Sequence, residues 1–225
     1  MMVLQRKIAC GTLTGLAVLL FGLSAQSQAQ DSTPVSWVFG DVAARVFLDP
    51  NSGKVQFFGY FADLTGIQQS LFNGAPGESK AVLTFRSNVF TARPLPSNGN
   101  VALTLVNVAK FNVYVNANPE GDWGNPDSFS GGQLVATFER SGPTMLVQTG
   151  PTFVHLLSFK LAYNRDFTIG GKLLNLSQFA AHGLTLAAFG SNTPVSGIPG
   201  FSVGLPWGGY AMATGGEHSN DSREN

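Results

Sequence analysis

The stretch KAVLTFRSNVFTA, residues 80–92, alternates apolar and polar side chains over most of its length. In an extended chain Ala81, Leu83 and Phe85 fall on one face, whereas Thr84 falls on the other. A period of two residues is typical of a β-strand that is buried on one face only. We therefore predict a strand here, and the same reading extends to other parts of the chain.

Similar runs recur along the sequence and are separated by segments rich in Pro, Gly and Asn. GQLVATFER at 132–140 alternates in the same way, and LTLAAFGS at 184–191 is one more predicted strand. KVQFFGYFAD at 54–63 carries aromatic side chains on both faces. The segment 192–209 is rich in Pro and Gly and is predicted to be a connection, and a short helix is predicted at 175–182.

Strand-like runs divided by turns, with no alternation of strands and helices, indicate an all-β fold. The preferred prediction is an antiparallel β-sandwich of the jelly-roll type, with at most one or two short helices. A closed β-barrel is the alternative, because the strands of both architectures alternate in the same way.

The first 29 residues have the form of a cleavable secretory signal peptide. Arg6 and Lys7 precede an apolar segment at 13–23, and small residues follow it. That segment is shorter than the roughly 20 apolar residues that a membrane-spanning helix needs. Cleavage is predicted after Ala29, which makes the mature chain a secreted or periplasmic protein with no stable membrane anchor.

The rest of the chain is predicted to be a single β domain at 30–213, followed by a disordered polar tail at 214–225. Cys10 is the only cysteine and lies within the signal peptide, so the mature domain has no disulfide. The chain has 13 basic and 13 acidic residues, and loss of Arg6 and Lys7 leaves 11 against 13. Such a balance provides no basic surface for nucleic acid, which is excluded as a partner.

The stretch NPEGDWGNPDSFSGG at 118–132 concentrates acids and amides around one tryptophan. Glu120, Asp122 and Asp127 are candidate calcium ligands, since Ca²⁺ is held by carboxylate and carbonyl oxygens. The order of these residues is not that of an EF-hand loop. Tandem turns, in which Asn and Asp bind nearby backbone amides, are the favoured interpretation, and Ca²⁺ is the only cofactor considered.

Two tryptophans are candidate ligand-binding residues. Trp123 lies within the acidic stretch, and Trp207 lies in GLPWGGY; either indole could stack on a sugar ring. For Trp123, packing as the small core of its own loop is favoured over ligand contact.

No catalytic residue is assigned. None of the acids forms an evident pair of the kind that glycosidases use, and no metalloprotease, hydrolase or phosphate-binding motif occurs. His155 falls on the same face as Phe153 and Leu157 and is interpreted as a hydrogen-bonded core residue.

The sequence favours an exported, non-catalytic β protein with a binding or structural role in the cell envelope or outside the cell, where a glycan or an envelope component would be its partner. One alternative is a calcium-assisted carbohydrate-binding module, or a glycan-active enzyme, centred on residues 118–127. A second alternative is a small outer-membrane β-barrel, because low charge and many short strands suit that class as well.

Overall fold

The computed structural model describes residues 36–106 and 109–214, and for residues 36–38 and 106 it describes the backbone alone. The predicted signal peptide at 1–29 lies outside the described residues, as do positions 215–225 of the predicted tail.

The described residues form thirteen strands, and connections of very different length join them. In chain order they are β1 Ser36–Asp49, β2 Lys54–Leu64, β3 Leu83–Ser87, β4 Phe90–Pro94, β5 Val101–Val106, β6 Lys110–Val115, β7 Gln133–Arg140, β8 Thr144–Thr149, β9 Thr152–Asn164, β10 Phe167–Ile169, β11 Lys172–Leu174, β12 Gly183–Ser191 and β13 Val203–Thr214. The short helices are a 3₁₀ turn at Glu78–Lys80, another at Pro126–Ser130, and α1 at Ser177–Ala180. No helix in these described ranges is long and apolar enough to cross a membrane.

Eight of the strands form a closed ring. In the order β1, β13, β12, β9, β7, β6, β3, β2, each strand is hydrogen-bonded to the next, and β2 is hydrogen-bonded to β1. All of these pairings are antiparallel, so the main sheet is an eight-stranded antiparallel β-barrel.

The remaining strands of the main sheet extend three walls of this barrel toward one end. The pairing of β4 with β5 keeps the register of β3 with β6: Leu83 is opposite Val115, and Ala92 is opposite Val106. The strands β7 and β8 likewise follow one another along β9, interrupted at Ser141-Gly142-Pro143. The barrel thus has eight walls, where a wall is either one long strand or two strands that lie end to end. Each wall is adjacent in space to the wall that precedes it in the sequence.

The preferred prediction of a jelly-roll-like sandwich is therefore wrong. In a sandwich, two sheets pack face to face, whereas here β1 has β2 on one side and β13 on the other, which closes the sheet on itself. Strands of sandwiches and barrels alternate alike, and only the pairing of the first wall with the last distinguishes them.

The closing strand β13 lies partly within the segment 192–209, which the sequence pattern marks as a connection. Pro206 cannot donate a backbone hydrogen bond, but the pairing of β13 with β12 ends at Trp207, so Pro206 has no β12 residue opposite it. Gly208 and Gly209 add no apolar side chain that would reveal the strand. One of the strands that close the barrel thus has a weak sequence signal.

One half of the barrel interior is filled by aromatic rings. Phe111 packs on Phe85 at 4.4 Å between ring centroids and on Phe159 at 5.4 Å. Apolar residues of the connections 65–82 and 165–182, among them Leu71 and Leu176, are buried in the same cluster. We call this half, where β2 ends and β3 begins, the closed end; the half where β1 turns into β2 is the open end.

Gly59 marks a point where two walls approach closely. A Cβ atom at this position would lie 2.1 Å from the carbonyl oxygen of Ala43 and 2.7 Å from the Cα of Ala44. Both contacts are with backbone on β1, which cannot move without disturbing its own pairings. Glycine is therefore required here by the space available.

We expect Gly59→Ala to lower the free energy of unfolding by about 2 kcal/mol or more, because overpacking against backbone has no easy relief. The measurement is urea unfolding at equilibrium. Gly77→Ala is the matched control: a Cβ at Gly77 meets nothing within 4 Å, and its effect should stay within about 0.5 kcal/mol. Equal stabilities for the two variants would contradict the close approach of β1 and β2.

Candidate functional site

The open end of the barrel contains a cavity of about 240 Å³. Its lining comes from all eight walls, since β1, β2, β4, β5, β8, β9, β12 and β13 each contribute at least one residue. Leu48, Leu146, Leu157 and Leu205 line it and are partly exposed, so the cavity reaches solvent. The cavity is thus the part of the barrel interior that the phenylalanine cluster leaves unfilled.

The floor of the cavity is aromatic. Phe57 and Trp207 line it, with ring centroids 6.4 Å apart, and both contact rings of the filled half. Phe57 packs on Phe111 at 5.7 Å, and Trp207 packs on Phe85 at 6.4 Å. A molecule that enters from the open end would therefore rest on a rigid apolar surface.

Five polar residues line the cavity, and they are Thr104, Thr144, Gln148, His155 and Asn192. The Asn192 amide donates to the carbonyl of Gly150 at 3.2 Å. The Thr144 hydroxyl accepts from Arg140 at 2.9 Å. These two side chains thus have partners within the protein.

His155 differs from them, because neither imidazole nitrogen has a hydrogen-bond partner among the described residues. The ring lies 4.8 Å from that of Phe153, its inward-facing neighbour on β9. Burial and, secondarily, the positive charge of Arg140 lower the pKa of His155 to about 4. The imidazole is therefore uncharged near neutral pH and presents one donor and one acceptor.

Arg140 has a structural role beside the cavity and does not line it. Its guanidinium donates to the carbonyls of Gly142 and Ser158, where β7 gives way to β8, and lies 5.1 Å from the ring centroid of Phe159. Burial lowers its pKa to about 10, which still leaves it charged. Arg140 thus binds the Gly142 carbonyl at the interruption and adds a second donor to the Ser158 carbonyl, which also accepts from the backbone of Ser141.

The predicted inward face of His155 agrees with the structure, and its predicted hydrogen bond stays a prediction. The alternation of β9 places it inward with Phe153 and Leu157, but the expected hydrogen bond is not found among the described residues. Trp207, a candidate ligand-binding residue, also lines the cavity. No pattern in the sequence indicates that the two share one cavity, because they come from different walls.

Trp123 lies on the outside of the barrel, in the connection 116–132. It packs on Phe129 at 5.0 Å and on Phe58 at 6.2 Å, and the guanidinium of Arg45 lies 4.7 Å from its ring centroid. Arg45 is paired with Pro206 across β1 and β13, next to the inward-facing Trp207. The two tryptophans therefore lie on opposite faces of the barrel wall and do not form one site.

The three candidate calcium ligands have separate surroundings. Asp127 forms an ion pair with Arg86, Asp122 accepts from the backbone of Gly124 at 2.8 Å, and Glu120 lines a shallow groove with Lys80. Across residues 36–106 and 109–214, no group of three or more His, Cys, Asp or Glu side chains could hold a metal ion. These contacts favour the turn interpretation, and the calcium site stays a prediction.

We expect the stability of the protein to fall as the pH drops from about 6.5 to about 4. In this window the unfolded chain binds a proton at His155, whereas the folded chain does not, because the folded pKa is the lower one. The loss should reach up to about 3 kcal/mol and be complete near pH 4. Urea unfolding across this window measures it, and His155→Leu should remove this part of the slope. An unchanged slope in that variant would contradict a buried, neutral imidazole.

We expect Trp123→Ala to lower the free energy of unfolding by about 2 to 3 kcal/mol, because the half-buried indole anchors the connection 116–132 to the barrel. The loss, measured by urea unfolding, should be the same with and without Ca²⁺. A rise in stability on adding Ca²⁺ that Asp122→Asn and Asp127→Asn each abolish would instead support the calcium site.

The cavity combines apolar walls, an uncharged imidazole and an opening to solvent, which suits reversible binding of a small molecule. Its described lining includes no Asp, Glu, Lys or Arg. No protein-family model, curated protein or solved structure matches this chain.

Proposed function

We propose that this chain is an exported, non-catalytic binding protein that holds one small, mostly apolar molecule in the open end of its barrel. The observation that carries the proposal is the cavity of about 240 Å³, which is lined mainly by aliphatic and aromatic side chains. Burying apolar ligand surface there would be favourable by about 25 cal/mol per Å². Export rests on the N-terminal sequence and belongs to the same proposal.

The size of the cavity limits what it can hold. A cavity of about 150 Å³ with apolar walls accommodates benzene, which sets the scale. By that measure the present cavity suits a molecule of about ten non-hydrogen atoms. Naphthalene is therefore a suitable probe.

The outer face of the barrel gives less support to the outer-membrane alternative. A lipid-facing surface needs a continuous apolar band around the barrel. Here Glu139 lies between Lys110 and Lys160 across β6, β7 and β9, at 3.6 Å from each ammonium group. Exposed apolar side chains such as Leu156 and Met145 are adjacent on β9 and β8. The outer face is thus mixed in character.

The carbohydrate alternative also has weaker support from the contacts. Trp123 is packed against Phe58 and Phe129 by one face and covered by Arg45, which leaves little of the indole for stacking on a sugar. Asp127 is engaged by Arg86. The aromatic floor of the cavity, by contrast, has open space beside it.

Gly190 provides a way to close the cavity without touching its polar groups. A Cβ atom at Gly190 would lie 2.0 Å from the Cζ of Phe153, so the phenyl ring occupies the space that a larger residue would need. We expect Gly190→Ala to push this ring into the cavity and to weaken naphthalene binding at least about tenfold. Equilibrium dialysis measures the dissociation constant.

The matched control is the double variant Gly190→Ala/Phe153→Ala, in which the ring is absent and binding should recover. Unfolding curves for each variant show whether the barrel remains intact. Unchanged naphthalene binding in a folded Gly190→Ala variant would contradict this site, and absence of binding by the unsubstituted protein would contradict the proposed function.

A further inference from the structure

The polar chemistry of the cavity is concentrated at His155. Going from the open end along β9, the inward-facing residues are Phe153, His155 and Leu157, so the imidazole lies between apolar neighbours. Neither of its nitrogens has a hydrogen-bond partner among the described residues, and both are thus available to a bound molecule. His155 is partly exposed, so water can bind these nitrogens in the free protein and a polar group of a ligand can take its place.

The other polar groups of the lining are less available for this purpose. Asn192 donates to the backbone of the turn between β8 and β9, and Thr144 accepts from Arg140. Gln148 is exposed at the open end. Thr104 lies opposite Thr144 across β5 and β8, and its hydroxyl, like the imidazole of His155, has no hydrogen-bond partner among the described residues. Of the two, His155 offers a donor and an acceptor on separate atoms of one ring.

The absence of charge in the described lining restricts the ligand. An ion in the cavity would lose its hydration and would find no opposite charge among the lining residues. The nearest charged group that acts on His155 is Arg140, whose Nη atoms already donate to Ser158, Gly142 and Thr144. A neutral ligand avoids this penalty.

We propose that the cavity selects neutral, mostly hydrocarbon molecules that carry one hydroxyl or carbonyl group, and that His155 binds this group. A hydroxyl can donate to the free imidazole nitrogen, and a carbonyl can accept from the N–H. The hydrocarbon part then lies on the floor formed by Phe57 and Trp207. This inference rests on the proposed function and adds the ligand class to it.

The experiment uses three probes with one skeleton: naphthalene, 1-naphthol and 1-naphthoate. Their dissociation constants are measured by equilibrium dialysis for the unsubstituted protein, His155→Leu and His182→Leu. The quantity of interest is the preference for 1-naphthol over naphthalene. We expect His155→Leu to reduce this preference about tenfold, because the hydroxyl then enters an apolar site without a partner. His182→Leu makes the same substitution at an exposed histidine outside the cavity and should leave the preference unchanged.

The outcomes separate the two proposals. If none of the three probes binds, the proposed function is overturned. If naphthalene binds but the preference for 1-naphthol is the same in His155→Leu, only the role of His155 is overturned. Tighter binding of 1-naphthoate than of 1-naphthol would overturn the selection of neutral ligands.

A second measurement avoids any dependence on the folding of His155→Leu. Imidazole ¹⁵N chemical shifts of the unsubstituted protein report a new hydrogen bond directly. Addition of 1-naphthol should shift the ¹⁵N signals of His155, whereas naphthalene should leave them nearly unchanged. Equal shifts with both probes would overturn the proposed hydrogen bond.

Discussion

The pairing of β1 with both β2 and β13 is the constraint on which the rest of the molecule depends. Once the first and last walls are hydrogen-bonded, every inward-facing side chain shares one interior, and its volume is fixed by the number of strands. An eight-stranded barrel is just wide enough to be filled by side chains or to hold one small molecule. In this chain side chains fill the closed end, and the open end has room for a small molecule.

The division between the two halves follows from side-chain size. At the closed end Phe85, Phe111 and Phe159 meet across the interior and leave no room. Toward the open end the inward positions of β12 become small, with Ala188 followed by Gly190. The ring of Phe153 uses the space above Gly190 and lies against the wall, which keeps the middle of the barrel free. The cavity is thus a consequence of a few small residues on one wall.

A connection that covers the outer face of the wall explains why β2 is apolar on both faces. On β2, Phe57 points into the cavity, whereas Phe58 points outward and is fully buried. The outward ring stacks on Phe47 at 4.9 Å and is covered by the connection 116–132 through Phe129 and Trp123. The acidic stretch that suggested a metal or sugar site therefore covers an outward-facing apolar cluster. Its turns hold that cover in place.

Local sequence patterns were enough to predict an all-β protein and strands at 54–63, 132–140 and 184–191, and the segment 80–92 contains most of the two strands β3 and β4. The choice between sandwich and barrel depends on a pairing between the two ends of the domain, which no local pattern contains. The strand β13 was hidden by Pro206 and its glycines, although Pro206 is tolerated because no β12 residue lies opposite it. The cavity could not be predicted for a related reason. His155 and Trp207 line one cavity only because the barrel closes.

A histidine at this interior position is not the residue that stability alone would favour. A leucine there would satisfy the apolar surroundings of Phe153 and Leu157 and would remove the sensitivity to acid that the lowered pKa imposes. Stability alone would therefore favour an apolar residue. Positions that depart from the locally most stable choice are typical of binding sites, where a ligand supplies the missing partner. By this reasoning His155 and the cavity beside it together form the proposed binding site.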